Sequence, residues 1–206
     1  MARRKISLEK RREKILTAAE ALVAEKGFSS FTMEDLSRET GLGMRSLYSI
    51  FPRKESILKA VVERKVGEIR KFIMGQIGGE ETASGKVRAL IFAILQMREM
   101  NREMLRFYVF ERHLFEWDIQ SELGEEFHSL YRDLLFTLKD LIQDGVRRGE
   151  FSPIDPRLGA ALIMGSINTL TYLWLYGDEE RNLMEDGKAL WDLFLRLTGG
   201  GEEEEK

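Results

Sequence analysis

Three breaks punctuate the start of the chain: Gly27, the turn Gly41-Leu42-Gly43, and Pro52. Between them apolar residues recur at the spacing of a helix rather than that of a strand. From Leu8 to Lys26, residues Leu8, Ile15, Ala18, Ala19 and Leu22 line one side of a helix, and Gly27 stands where a helix C-cap favours glycine. Thr32 precedes Asp35 by three residues, an acidic form of the capping box, which opens a short helix that Gly41 closes. A third helix is predicted over Met44 to Phe51, and Pro52 ends it because a proline disfavours helical backbone in the residue before it. Three helices in so short a stretch, the last two joined by a tight turn, make a helix-turn-helix unit.

The remainder continues in helices. One is predicted from Lys54, with Ile57, Leu58, Val61, Val62, Ile69 and Ile73 on its buried side, fraying at Gly78-Gly79 before a loop through Gly85. Lys86 to Met100, Met104 to Trp117 and Glu125 to Arg148 follow, each with apolar residues at helical spacing. Gly149 ends the last of these, and Asp155 with Pro156 supplies an N-cap and a first-turn proline for the next helix. The final helix is predicted over Leu183 to Leu197, with Leu183, Leu190, Trp191, Phe194 and Leu197 on one side. The fold class expected is all-α: a helix-turn-helix domain over 1–54, a larger helical domain over 55–198 and an acidic tail over 199–206.

Charge follows the same division. Met1 to Lys54 holds 12 Lys and Arg against 7 Asp and Glu, while the remainder holds 20 against 28, so a basic head sits on an acidic body in a chain of net charge −3. The head can provide a local electrostatic footprint for a polyanion; the body cannot. Cysteine is absent, which excludes disulfides, thiolate metal sites and a cysteine nucleophile, and fits a reducing compartment. Met1 to Lys14 lacks the apolar stretch of a secretory signal, so a cytoplasmic location is expected.

Leu158 to Gly177 carries no charged side chain and is nearly long enough to span a bilayer. Ser166, Asn168, Thr169 and Thr171 interrupt it, Gly159 and Gly165 dilute it, and no Lys or Arg cluster follows. It is read as a helix buried in protein, with no membrane partner. A homodimer is expected from this helix and the one before it. Leu134, Leu138, Leu141 and Ile142 supply an apolar stripe, and Gly159, Ala161 and Gly165 permit close approach.

Catalytic sets are missing. Glu125 and His128 form one Glu-x-x-His, but a di-iron bundle needs a second copy, and no Glu lies three residues before His113. No phosphate loop, nucleophile elbow or Ser/His/Asp set is recognisable, so neither an enzyme nor a resident metal or cofactor is expected.

Within Ile15 to Leu58, the residues Gly27-Phe28, Thr32, Gly41, Leu47-Tyr48, Phe51 and Lys54-Glu55 carry a resemblance to the DNA-binding domain of the TetR family of transcriptional regulators. The chain departs from the family pattern at Arg45, where glycine is frequent, at Gly43, where Ser or Thr commonly caps, and at Ser49-Ile50. The resemblance implies a regulator, a repressor, that binds a palindromic double-stranded DNA operator as a dimer and responds to a small molecule held in its helical domain. A helical carrier of apolar molecules without DNA-binding function is the alternative.

The residues of the third helix support the DNA reading independently. At about 100° per residue, Leu47 and Phe51 point one way while Arg45, Ser46 and Ser49 point the other, flanked by Tyr48 and Ile50. Arg45 is the outward group able to grip a guanine edge with two hydrogen bonds. Met44, Ser46 and Ser49 add weaker or apolar recognition, Tyr48 can donate to phosphate, and Thr32 is either an N-cap or a phosphate contact. Lys54, a cation at a helix N-terminus, opposes the macrodipole and gains from a phosphate nearby. For the effector, an apolar or aromatic molecule, the expected lining is Met100, Met104, Phe107, Tyr108 and His113. Such stripes are ordinarily core, and the resemblance is what favours a cavity.

Overall fold

The computed structural model describes residues 7–27, 30–102, 105, 117–177 and 181–199, with backbone alone for 117–124. Among the described residues all regular structure is helical: α1 (Leu8–Lys26), α2 (Met33–Thr40), α3 (Met44–Ile50), α4 (Lys54–Gly78), α5 (Ala83–Met100), α6 (Trp117–Arg148), α7 (Pro156–Tyr176) and α8 (Leu183–Leu197). The chain divides into two compact units, Met1–Gly67 with Glu103–Phe127, and Glu68–Arg102 with His128–Lys206.

In the first unit α1 packs against α2 and α3, and α2 against α3. Ile15, Leu16, Ala19 and Leu22 of α1 are buried, as are Leu36, Leu47, Phe51, Ile57 and Leu58. The seven residues of α3 are too few to hold a helix in water by themselves. Leu47, which is 0% exposed, anchors that helix from behind, and the Phe51 N–H closes it on the Leu47 carbonyl at 2.9 Å. Gly41 takes the left-handed conformation at φ 61°, which a residue with a Cβ rarely adopts, and so turns the chain from α2 toward α3. Arg64 of α4 ties the unit together by pairing with Glu20 at 2.8 Å and Glu13 at 3.1 Å on α1.

In the second unit α5 packs against α7 and α8, and α7 against α8. A Cβ at Gly187 of α8 would lie 2.5 Å from the Leu95 side chain, so the missing side chain is what allows α8 this close to α5. After Gly149, at φ 76°, the Glu150 carboxylate accepts from the backbone N–H of Ala83 at 3.2 Å and Ser84 at 2.7 Å. Those N–H groups belong to the first turn of α5 and have no partner within the helix, so a residue distant in sequence fixes where α5 begins.

Four expectations are corrected. Helix α5 begins at Ala83 rather than Lys86, because Thr82 caps it by accepting from the Gly85 N–H at 2.9 Å. Helix α6 begins at Trp117 rather than Glu125. Leu134, Leu138 and Ile142 are buried within the unit and form its own core rather than a free stripe. Helix α7 is not enclosed: Leu158, Leu162, Tyr172 and Leu173 are exposed. Part of the expected Met104 to Trp117 helix lies outside the described residues, as does the tail beyond residue 199.

Candidate nucleic-acid interface and effector site

The capping box opening α2 is complete. Thr32 Oγ1 accepts from the Asp35 N–H at 3.1 Å, and the Asp35 carboxylate accepts from the Thr32 N–H at 3.0 Å and from the Thr32 hydroxyl at 3.0 Å. With its proton directed to Asp35, the Thr32 hydroxyl is an N-cap first, although the residue remains exposed. Asp35 also accepts from Lys26 at 3.0 Å; that bond and those from Thr32 hold its carboxyl down at about 2.

Along α3 the side chains divide as their spacing predicts. Leu47 is buried, while Arg45, Tyr48 and Ser49 are exposed and Met44 and Ser46 half-buried. The Ser49 hydroxyl donates to the Ser46 carbonyl at 2.8 Å, so its proton is directed along its own helix. Arg45 forms no ion pair among the described residues. Its five fixed donors are the largest outward hydrogen-bonding capacity on α3.

Two cations of this unit lie over aromatic rings. Lys54 Nζ sits 4.4 Å from the centre of the Phe31 ring, and the Arg12 guanidinium 5.2 Å from that of Phe51. Lys54 is half-buried, which pulls its pKa down, with Glu55 opposing the shift. The ring is a second reason, besides phosphate, for a cation at the start of α4. Arg12 was not singled out from the sequence, where it lies inside the run Lys10-Arg11-Arg12 and only its three-dimensional neighbour distinguishes it.

Of the expected effector lining, Met100 is exposed at the end of α5. Met104, Phe107, Tyr108 and His113 lie outside the described residues. Among the described residues no group of His, Cys, Asp or Glu could hold a metal ion.

Sequence reasoning missed Arg98 on α5. Its guanidinium donates to the Ile167 carbonyl at 3.0 Å, Thr171 Oγ1 at 2.5 Å and Asn168 Oδ1 at 2.7 Å, all on α7. All three acceptors are neutral. Burial lowers its pKa to about 10, opposed by the Tyr131 phenol, so the side chain is still a cation at neutral pH. One turn further, Arg102 lies 4.7 Å from the centre of the Trp174 ring.

Residues 15–61 match the family model of bacterial regulatory proteins of the tetR family, and residues 80–198 match the tetracyclin repressor-like C-terminal domain. The chain belongs to the TetR family. As a member it is a ligand-responsive DNA-binding transcriptional regulator and not an enzyme. The fatty acid metabolism regulator protein of Bacillus subtilis is 21% identical over 182 residues, 88% of this chain and 92% of that protein. Two crystal structures share the fold. A tetR-family regulator from Mesorhizobium loti superposes with a TM-score of 0.75 at 19% identity, covering 94% of this chain and 98% of the other. FadR from Bacillus subtilis, in complex with stearoyl-CoA, has a TM-score of 0.68 at 20% identity, covering 91% and 98%.

Proposed function

We propose that this regulator is a cytoplasmic homodimeric repressor that reads a palindromic operator with α3 and leaves it when an acyl thioester binds the helical domain. The observation that carries the DNA assignment is α3 itself: Leu47 at 0% exposure holds it from behind while Arg45 stands exposed on the other side. A guanidinium so placed can donate to both acceptors of a guanine edge in the major groove. Met44, Ser46 and Ser49 supply the neighbouring contacts to bases, and Tyr48, Lys54 and Thr32 those to phosphate. Arg12 joins the phosphate set through its position over Phe51.

Dimerisation rests on the outward side of α7. Leu158, Ala161, Leu162, Gly165, Thr169, Tyr172 and Leu173 recur at helical spacing and are exposed, as are Leu193 and Leu197 of α8. By length and composition α7 is apolar enough to cross a membrane. A second copy suits this face better than lipid does. Arg98 donates to the carbonyl of Ile167 on that helix, and Asn168 and Thr169 stand exposed within the same run. A two-fold axis through this face would give two heads for two half-sites.

The effector class follows from the stearoyl-CoA held by the Bacillus subtilis neighbour and from the Met and aromatic residues between Met97 and Trp117 in this chain. Met100, Met104, Phe107, Tyr108 and His113 remain the proposed lining. Selecting bound fragments from random duplexes with the purified protein, then titrating the selected site with stearoyl-CoA by fluorescence anisotropy, tests the whole assignment. A symmetric site released by the thioester is expected. Failure to enrich any sequence would overturn it.

A further inference from the structure

Arg98 differs from two other half-buried arginines. Arg64 faces Glu13 and Glu20, and Arg181 faces Asp186. Arg98 is half-buried and, among the described residues, pairs with no carboxylate. An enclosed charge without an opposite charge is costly, and its usual remedy is a partner. Glu99 beside it on α5 makes no ion pair with it.

Three of its five N–H groups are taken by Ile167, Thr171 and Asn168. The remaining two, Nε and one hydrogen on Nη2, meet no acceptor among the described residues. Two donors is the number that one edge of a carboxylate or phosphate accepts. The site is also approachable. Thr171 is buried, but Asn168 is exposed, so the guanidinium reaches from the interior of the α5 and α7 seam to its rim. Arg102 stands exposed at that rim over Trp174, and Met100 is exposed close by in sequence. A second cation, an aromatic face and a flexible apolar side chain therefore accompany the first cation.

We propose that Arg98, assisted by Arg102, is the anchor for an anionic oxygen group on the effector, the tail of which lies against apolar side chains. The anion is the carboxylate of a free acyl acid or a phosphate of its thioester. The proposal deepens the effector assignment above and rests on it for the tail alone.

Three probes of one chain length separate the possibilities: laurate, lauroyl-CoA and methyl laurate, each titrated into the full-length dimer by intrinsic tryptophan fluorescence. At least one anionic probe is expected to bind about tenfold or more tightly than the neutral ester, as expected for a charge-assisted pair. Preference for laurate identifies the carboxylate, and preference for lauroyl-CoA alone the phosphate. Arg98→Gln should abolish that preference while leaving methyl laurate binding unchanged, and Arg98→Lys should restore part of it. If Arg98→Gln fails to fold, Arg98→Lys and Arg102→Gln carry the test, each reducing the preference without altering the ester.

Equal affinity for all three probes, no binding by any of them, or a preference that survives these substitutions overturns the proposal. Operator anisotropy measured in parallel separates this failure from that of the functional assignment. Arg98-dependent anion binding that leaves operator affinity unmoved keeps the site and removes the effector role. Release of the operator by methyl laurate as readily as by the anions does the reverse.

Discussion

The two units obey the same amphipathic rule to different degrees. In the head, α3 turns Leu47 and Phe51 inward and presents Arg45, Tyr48 and Ser49 to solvent, so its outward face is polar. In the body, α7 buries Ile163, Met164 and Ile167 and still leaves Leu158, Leu162, Tyr172 and Leu173 outside. An exposed polar face costs nothing in water, whereas a continuous exposed apolar one marks an interaction surface. The difference teaches that the head is built for a polyanion and the body for another apolar surface.

The largest effect that would break this comparison comes from the body. Leu162→Glu places a charge in the exposed α7 face. It should halve the sedimenting mass and lower operator affinity by a factor on the order of 10² to 10⁴, because each head then binds its half-site alone. A dimer of unchanged operator affinity would show that the second copy sits elsewhere.

Leu47→Ala tests the head as a closed fold. Removing a side chain at 0% exposure should cost about 2–5 kcal/mol in a denaturant titration. A loss under about 0.5 kcal/mol, the range of ordinary surface changes, would mean that α3 is not held from behind.

Arg45→Ala should leave folding unchanged while costing about 1–3 kcal/mol on the preferred duplex and much less on random DNA. Equal losses on both would make Arg45 a backbone contact and move base reading to Met44, Ser46 and Ser49.

Smaller still is the pH dependence of the capping box. With Asp35 held at about 2, below its ordinary 3.8, the stability that it contributes is present above pH 3.8 and disappears as pH falls through about 2. The stability difference between wild type and Asp35→Asn, followed by acid titration, should therefore close across that window. A difference that persists below it would place the effect on something other than the charge.

Lys54→Gln, the subtlest change, should weaken binding to all sequences alike and lower the salt slope by about one unit. An unchanged slope would show that Lys54 does not contact phosphate.

Punctuation was legible wherever it was local. Gly27, Gly41, Pro52 and the Asp155-Pro156 pair act on neighbouring backbone, and the ends of α1, α3, α4 and α8 fall where such signals or their helical spacing place them. The start of α5 is the exception, since its local cap Thr82 is followed by Ser84-Gly85, which suggests a loop, and the second group that fixes it, Glu150, arrives from the far side of α6 in the sequence. Helix α6 starts early because Gly124 is tolerated inside it, and nothing local distinguishes a tolerated glycine from a stop. Inward and outward sides on α3 followed from periodicity. On α7 they did not, since apolar residues occupy both sides and spacing cannot tell one apolar face from another. Arg98 was invisible for a related reason: its partners Ile167, Asn168 and Thr171 lie on another helix, and a lone arginine in an apolar run carries no label.

Gly187 constrains what descendants of this sequence can become. Any side chain there would meet the tip of the buried Leu95 side chain, so either Leu95 or α8 would have to shift. The same helix carries Leu193 and Leu197 outward, and a shift of its axis would carry them along. Where α8 is what shifts, one inherited methyl group would thus alter the inner packing and the outer surface at once.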